Sequence, residues 1–289
     1  MHDAAGVTIA KIALYQGVKR PLMSAGEDST STVPIIAGKQ ALLRVFVKVD
    51  ASYDGEPVTA RLYIGESDQP IEVVGKLVNS TEAALDSTVN FDIAGKLLDN
   101  ATKYRVELLQ SGEGDENTSA RYPKTGFAAI SVTQGADTLK IKVVPVAYGA
   151  DGSNRLPVVS DTQLNRLRDA FLAMYPVAKV VISLRAKIAW NQSVSANGSG
   201  WETLLDKVQS VRAADKAPAD VYYLGLVRPK ETLTAFCGSA CMAGLGFLAP
   251  ATDASSRVAV GIGYADDLTR ETALHEIGHA HGRLHAPCA

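Results

Sequence analysis

An eleven-residue stretch near the C-terminal end of the chain most strongly constrains its fold. Residues 275–285 read His-Glu-Ile-Gly-His-Ala-His-Gly-Arg-Leu-His and contain four of the five histidines. On an α-helix, His275 and His279 lie one turn apart on the same face, so both imidazoles can reach one metal ion. Glu276 lies about 100° around from His275, where it can meet a water molecule but is poorly placed to coordinate the metal. The stretch therefore predicts a helix with a metal site on one face.

The third histidine of the site requires the helix to end. On a continuous helix, His285 would lie about 15 Å along the axis from His275 and on another side. Gly282 can adopt the left-handed conformation that ends helices, after which the chain can double back and bring His285 to the metal. Three histidines with an open fourth position are typical of catalytic zinc sites. A bare His-Glu-x-x-His also occurs by chance in ordinary amphipathic helices, but this longer pattern fixes a glycine and a third histidine as well.

The rest of this helix follows from the same periodicity. Ala273, Leu274, Ile277 and Ala280 share the side that should pack on a sheet. His281 points with these apolar residues, so we expect it to be packed and hydrogen-bonded rather than bound to the metal. Asp266 or Asp267 can cap the helix at its N-terminal end.

Bulk composition limits the classes of function. A chain of 289 residues, 46% hydrophobic and 21% charged, has room for two domains. A formal net charge of −2 gives no reason to expect nucleic acid as a partner. No apolar run reaches the roughly 18–20 residues of a membrane span.

The three cysteines leave several alternatives open. Cys237 and Cys241 are four residues apart, and Cys288 is next to the last residue. They can be unreactive thiols, or Cys237 can pair with Cys241, or one of the two can pair with Cys288. A zinc site on Cys237 and Cys241 is less favoured, because no further cysteine or histidine lies near them in the sequence.

The pattern of elements changes along the chain. Strand-like runs, such as residues 7–15 and 41–49, alternate with turn-rich stretches over residues 1–135, which predicts an immunoglobulin-like β-sandwich. Residues 136–289 instead alternate strands with helices, the latter near residues 161–175 and 201–213. This alternation predicts an α/β fold class, in which a mostly parallel twisted sheet carries the active-site helix.

With His275, Glu276, His279, Gly282 and His285 in place, the chain resembles the metzincin clan of zinc endopeptidases. The resemblance implies one catalytic Zn²⁺ held by the three histidines and a zinc-activated water that attacks a peptide bond, with Glu276 as the base. It also implies an antiparallel edge strand that binds extended substrate by strand addition, for which Gly244-Leu245-Gly246-Phe247 is the candidate. The domain order and Gly278 are similar to those of secreted bacterial mucin-degrading metzincins. That similarity implies a protein of the cell envelope or exterior acting on surface proteins, including glycoproteins.

The sequence departs from the clan at one point. Metzincins carry a methionine turn after the third histidine, whereas Ala286-Pro287-Cys288-Ala289 alone follow His285 here, and Met242 lies upstream. We therefore expect a truncated protease domain that binds zinc more weakly than a complete metzincin and cleaves poorly. The alternative is a non-catalytic surface-binding protein with a vestigial protease half. A zincin with a downstream glutamate ligand is disfavoured, because no acidic residue follows Glu276. The oligomeric state stays open, with a monomer as the default.

Overall fold

The structure is a computed structural model in which five stretches of the chain are described. These are residues 1–65, 67–100, 102–135, 138–250 and 252–285. Cys288 lies outside the described residues.

The chain folds into two compact units. The first comprises Met1–Asp137 together with Tyr175–Ala178, and the second comprises Thr138–Met174 together with Lys179–Ala289. The sequence had suggested a division between residues 135 and 136.

The first unit is built from short strands connected by turns. Its strands are β1 (His2–Asp3), β2 (Val7–Tyr15), β3 (Lys19–Ser24), β4 (Glu27–Asp28), β5 (Ile35–Ile36), β6 (Ala41–Val49), β7 (Val58–Ile64), β8 (Ile71–Gly75), β9 (Val89–Ile93), β10 (Lys103–Gln110), β11 (Arg121–Tyr122), β12 (Ala128–Ala129) and β13 (Val132–Thr133).

Two antiparallel sheets share the core of this unit. One has the order β1-β10-β7-β8, with β11 and β12 also paired to β10, and the other has the order β4-β3-β2-β6-β9. Strand β9 shows why the sequence forms such sheets: Val89, Phe91 and Ile93 are buried, while Asn90 and Asp92 between them are not. Apolar side chains from both sheets meet in one cluster. In β9, burial of alternate residues therefore fixes the register.

The second unit combines a sheet with helices. Its strands are β14 (Thr138–Tyr148), β15 (Lys179–Leu184), β16 (Ile188–Trp190), β17 (Val221–Val227), β18 (Gly244–Gly246) and β19 (Val258–Ile262), and its helices are α1 (Asp161–Met174), α2 (Trp201–Ala214), α3 (Leu233–Cys237) and α4 (Asp267–Ala280).

The sheet of the second unit places α4. Its strand order is β15-β14-β17-β19-β18, with β16 also paired to β14. All five residues of β19 are buried, as expected for a strand covered on both faces. Helix α4 packs on β19 and on the edge strand β18, and α2 packs on β17 and β19. The apolar core of this unit includes the fully buried Trp201 of α2. Strand β19 therefore supports α4 from inside the unit.

The predicted α/β fold class, with a mostly parallel sheet, is wrong for this chain. Strands take 35% of it and helices 21%, and ten of the fifteen strand pairings among the described residues are antiparallel. The prediction took the alternation of strand and helix in the second half as decisive. Most connections in the first unit are too short for parallel crossovers, so its main sheets are antiparallel, and β18 is antiparallel as well. The chain is mainly β.

None of the helices in the described stretches has the length and apolar character needed to cross a membrane.

An ion pair beside the sheet of the second unit gives a pH-dependent test of stability. Asp215 accepts hydrogen bonds from Arg185 Nε at 2.7 Å, from Arg185 Nη2 at 2.8 Å and from the Tyr223 hydroxyl at 2.9 Å. The hydrogen bonds from Arg185 are the main cause that lowers the pKa of Asp215 from 3.8 to about 2. Because the folded state favours the ionised form, this stabilisation is present above the unfolded pKa and is lost as the pH falls towards 2.

We expect Asp215→Asn to lower the free energy of unfolding by roughly 1 kcal/mol at pH 7, because a charge-assisted pair is replaced by a neutral group. Urea unfolding at several pH values measures the difference, which should shrink as the pH falls from 4 towards 2. Asp206→Asn, at an exposed position of α2, is the matched control. Equal effects of the two substitutions at pH 7 would show that the Arg185 pair contributes nothing.

Candidate metal centre

Both ends of α4 are closed by hydrogen bonds that the sequence encodes locally. The Asp266 side chain accepts from the Thr269 backbone N–H at 2.8 Å and caps the N-terminal end. At the other end, Gly282 has a φ of 78°, in the left-handed region. The Gly282 N–H donates to the His279 carbonyl at 2.7 Å, and the Arg283 N–H donates to the Gly278 carbonyl at 3.1 Å. This is a Schellman motif, and it turns the chain back towards the helix.

The reversal brings three histidines together at one point. The Nε2 atoms of His275 and His279 are 3.1 Å apart, and each lies 3.0 Å from Nε2 of His285. They form a nearly equilateral triangle, and a point about 2.0–2.1 Å from all three atoms, the usual Zn–N distance, lies just off its plane. Among the described residues, these three histidines are the group that could hold a metal ion. The donor set and its spacing therefore fit zinc.

One hydrogen bond sets the tautomer of His279. Its Nδ1 lies 2.7 Å from the Arg283 carbonyl oxygen, which can only accept, so the proton is on Nδ1 and Nε2 presents its lone pair to the triangle. Burial, together with the charges of the other two histidines, lowers the pKa of His275. Burial and the neighbouring charges both favour the neutral imidazole of His275, which is the form that binds metals.

Glu276 lies on the buried side of the same helix. It is only 8% exposed, and burial raises the pKa of its carboxyl group to about 7, against smaller lowering effects of His279 and of a hydrogen bond from the Gly246 backbone. A carboxyl group with this pKa exchanges a proton readily near neutral pH. Its chemistry thus differs from that of an ordinary surface glutamate.

The predicted substrate-binding segment lies directly against this helix. Gly244, Leu245 and Gly246 form β18, which pairs antiparallel with β19 at the edge of the sheet, and Phe247 follows it. A Cβ at Gly246 would lie 2.4 Å from the Glu276 carbonyl oxygen, and one at Gly244 would lie 2.6 Å from Cγ2 of Thr272. Glycine at these two positions therefore lets the edge strand approach α4 closely.

The edge strand and the histidines border a cleft of about 360 Å³. Leu248, which follows the predicted segment, also lines it, and sequence reasoning missed two further side chains there, those of Met242 and Leu284. The position of Met242 is fixed by a hydrogen bond from its backbone N–H to the Ala196 carbonyl at 2.8 Å. Ala196 is distant in the sequence, so no local pattern could have indicated this contact.

Cys237 and Cys241 form a disulfide. It closes a loop that ends immediately before Met242 and β18. The disulfide is therefore adjacent to the rim of the cleft, and it is not a metal site.

The contacts of His281, which follows α4, and of four apolar side chains show how the helix packs. His281 stays outside the metal centre: its Nδ1 donates to the Ile277 carbonyl at 2.8 Å, and its ring stacks on Tyr222 with centroids 4.1 Å apart. Ala273, Ile277 and Ala280 are buried, as the periodicity predicts. Leu274 differs, because it is half-buried and lines a cleft beside His275 rather than the core.

Comparison with known proteins adds no assignment: no protein-family model and no curated protein matches the chain. Functional interpretation therefore depends on the local geometry of the metal centre.

The close approach of β18 to α4 gives a second test. We expect Gly246→Ala to lower the free energy of unfolding by about 1–3 kcal/mol, because the new methyl group meets backbone atoms that cannot easily move. Zinc affinity should fall as well, since α4 carries two of the three histidines. Chemical denaturation and zinc titration measure the two effects.

Gly75→Ala is the matched control, because a Cβ there meets nothing within 4 Å. If Gly246→Ala were as stable as Gly75→Ala, the edge strand would not need its close contact with the helix.

Proposed function

We propose that this protein is a zinc-dependent endopeptidase. The observation that carries the proposal is the triangle of three Nε2 atoms, each about 3 Å from the other two, beside a buried glutamate with a raised pKa. The proposal rests on this site and on the eleven-residue motif that resembles the metzincin signature. It does not depend on the fold class.

Each residue of the site has a chemical role in this proposal. His275, His279 and His285 hold the ion, and the Arg283 carbonyl keeps the proton of His279 on Nδ1. Bound zinc would supply a Lewis acid that polarises water and the scissile carbonyl. Glu276 accepts a proton from the attacking water and returns it to the leaving amine. The free edge of β18 holds the extended substrate beside Glu276 through backbone hydrogen bonds.

The donor set favours zinc over the common hard cations. Three imidazole nitrogens suit zinc and other transition metals, whereas Mg²⁺ and Ca²⁺ prefer oxygen ligands. A site with three protein ligands leaves a coordination position for water or substrate, as catalytic zinc sites do.

We further propose that the protein acts in the cell envelope or outside the cell, on secreted or surface proteins that include glycoproteins. The disulfide between Cys237 and Cys241 supports this, because disulfides persist in oxidising compartments and are rare in the cytosol.

Zinc binding tests the metal centre directly. Isothermal titration of the metal-free protein with ZnCl₂ should give one site, and His275→Ala should weaken it by more than about 100-fold, since even the loss of an outer-shell partner costs 10–100-fold. MgCl₂ should give no comparable heat.

His281→Phe is the matched control for zinc binding, because it removes the ring nitrogens of a histidine in the same motif but keeps an aromatic ring against Tyr222. Its zinc affinity should stay close to that of the original chain. Equal losses in the His275 and His281 variants would argue against the proposed ligand set.

Replacement of the base separates binding from catalysis. We expect Glu276→Gln to retain zinc but to lose at least about 100-fold in kcat on a casein or mucin substrate. Because the base acts in its ionised form, kcat/KM of the original chain should rise with pH through the pKa of Glu276. A bound cation would place that pKa at or below 7.

In the Glu276→Gln variant this rise with pH should be absent. Chelator-insensitive cleavage, or wild-type rates in the variant, would contradict the assignment. Tight zinc binding by a protein that binds mucin but never cleaves it would favour the alternative of a surface-binding protein.

A further inference from the structure

Two clefts of different character meet at the candidate metal centre. The leucine cleft, the 360 Å³ cleft described above, is lined by Leu245, Leu248 and Leu284. The acidic cleft, of about 340 Å³, is lined by Leu268, Glu271 and Thr272. His275, Glu276, Met242 and Gly244 border both clefts. A substrate whose scissile bond lies at Glu276 would therefore extend into a different environment on each side.

The acidic cleft presents one solvent-accessible carboxylate. Its two acidic residues are Glu271, which is exposed, and Glu276, which is buried. In the described part of the chain, no salt bridge or side-chain hydrogen bond involves the Glu271 carboxylate, and the neighbouring Arg270 is paired with Asp267 instead. Glu271 is thus available to a cationic group of a ligand.

The leucine cleft, in contrast, presents apolar surface. Leu248 is 56% exposed and Leu284 is 75% exposed. Covering exposed leucine side chains with an apolar group of a ligand removes both surfaces from water and favours binding.

The edge strand gives the direction of a bound peptide. Strand β18 is the last strand of its sheet and pairs with β19 alone among the described residues, so no strand covers its other edge. The chain runs from Ala243, which lines the acidic cleft alone, through β18 to Leu248, which lines the leucine cleft alone. A peptide that adds to this edge in the more stable antiparallel direction runs the opposite way. Its residues before the scissile bond then lie at the leucine cleft, and those after the bond lie at the acidic cleft.

We infer that the acidic cleft selects peptides with lysine or arginine on the C-terminal side of the scissile bond, through Glu271, and that the leucine cleft accepts an apolar residue on the N-terminal side. This inference rests on the proposed endopeptidase function and adds a substrate class to it. An exposed ion pair contributes about 0.2–1 kcal/mol, so the expected preference is modest, up to about fivefold.

An alternative role for Glu271 is to stabilise α4 or to orient His275. Glu271 lies near the N-terminal end of the helix, where a negative charge is favourable, and four residues before His275, where it could orient that imidazole. Such a role would change stability or zinc affinity without regard to the charge of the substrate. The two roles therefore differ in what they predict for a set of peptides.

Four fluorescein-labelled peptides in one Ser/Gly host sequence test the inference. They carry Leu-Ala-Lys, Leu-Ala-Gln, Leu-Ala-Glu or the reversed order Lys-Ala-Leu. Fluorescence anisotropy with the zinc-loaded chain measures Kd, and mass spectrometry with initial rates gives the cleaved bond and kcat/KM. The variants are Glu271→Gln and Glu271→Lys. Glu202→Lys, at an exposed position in the first turn of α2, is the matched charge control.

We expect the Leu-Ala-Lys peptide to be preferred over Leu-Ala-Gln by about two- to fivefold, and Leu-Ala-Glu to be disfavoured by a similar factor. Glu271→Lys should invert this order, Glu202→Lys should preserve it, and zinc affinity should not change in the Glu271 variants. The preference should shrink as NaCl is raised from about 0.05 to about 0.5 M.

Equal affinity for the lysine and glutamate peptides, stronger binding of Lys-Ala-Leu, or loss of zinc affinity in Glu271→Gln would overturn the inference. Charge-dependent binding without cleavage would contradict the proposed endopeptidase function but support the assignment of the acidic cleft. Cleavage without a charge preference would support the endopeptidase function but contradict the assignment of the acidic cleft. If none of the four peptides bound, the endopeptidase function and the assignment of the acidic cleft would both be wrong.

Discussion

The contact between helix α4 and the strands β18 and β19 decides where every residue of the candidate metal centre lies. Strand β19 is fully buried beneath the helix, and β18 approaches so closely that a Cβ at Gly244 or Gly246 would overlap atoms of the helix. Because α4 is held in this way, its two metal-facing histidines have a fixed position relative to the sheet edge. The Schellman turn at Gly282 then adds the third histidine from the same short segment.

Burial against the sheet also sets the chemistry of the site. Glu276 is the residue of the motif that faces the edge strand, and its desolvation raises its pKa to about 7. Burial and the two neighbouring histidines lower the pKa of His275, and the Arg283 carbonyl orients the imidazole of His279. The same contact that positions the histidines therefore prepares a metal-binding donor set and a proton acceptor side by side.

Sequence patterns located individual elements well but misjudged the class of the fold. The runs at residues 7–15 and 41–49 coincide with β2 and β6, because short apolar runs bounded by turn-rich stretches leave a strong local signal. The short hairpin of β3 and β4, in which Glu27–Asp28 pairs with β3, was not predicted. The class was wrong because most strands lie in the antiparallel sheets of the first unit, and the pairing of those strands depends on residues far apart in the chain.

By itself, the sequence determined the local geometry of the candidate metal centre. Helical periodicity places His275 and His279 on one face, and a glycine at position 282 permits the left-handed turn that returns His285 to them, so eleven consecutive residues contain the information. Only the tertiary structure decided the pairing of Cys237 with Cys241, the hydrogen bond from the Met242 N–H to the Ala196 carbonyl, and the two clefts on either side of Glu276. Cys237 and Cys241 are only four residues apart, and the structure selects their pairing from the alternatives that the sequence left open. The contact of Met242 and the two clefts depend on segments that are distant along the chain, so no local pattern can encode them.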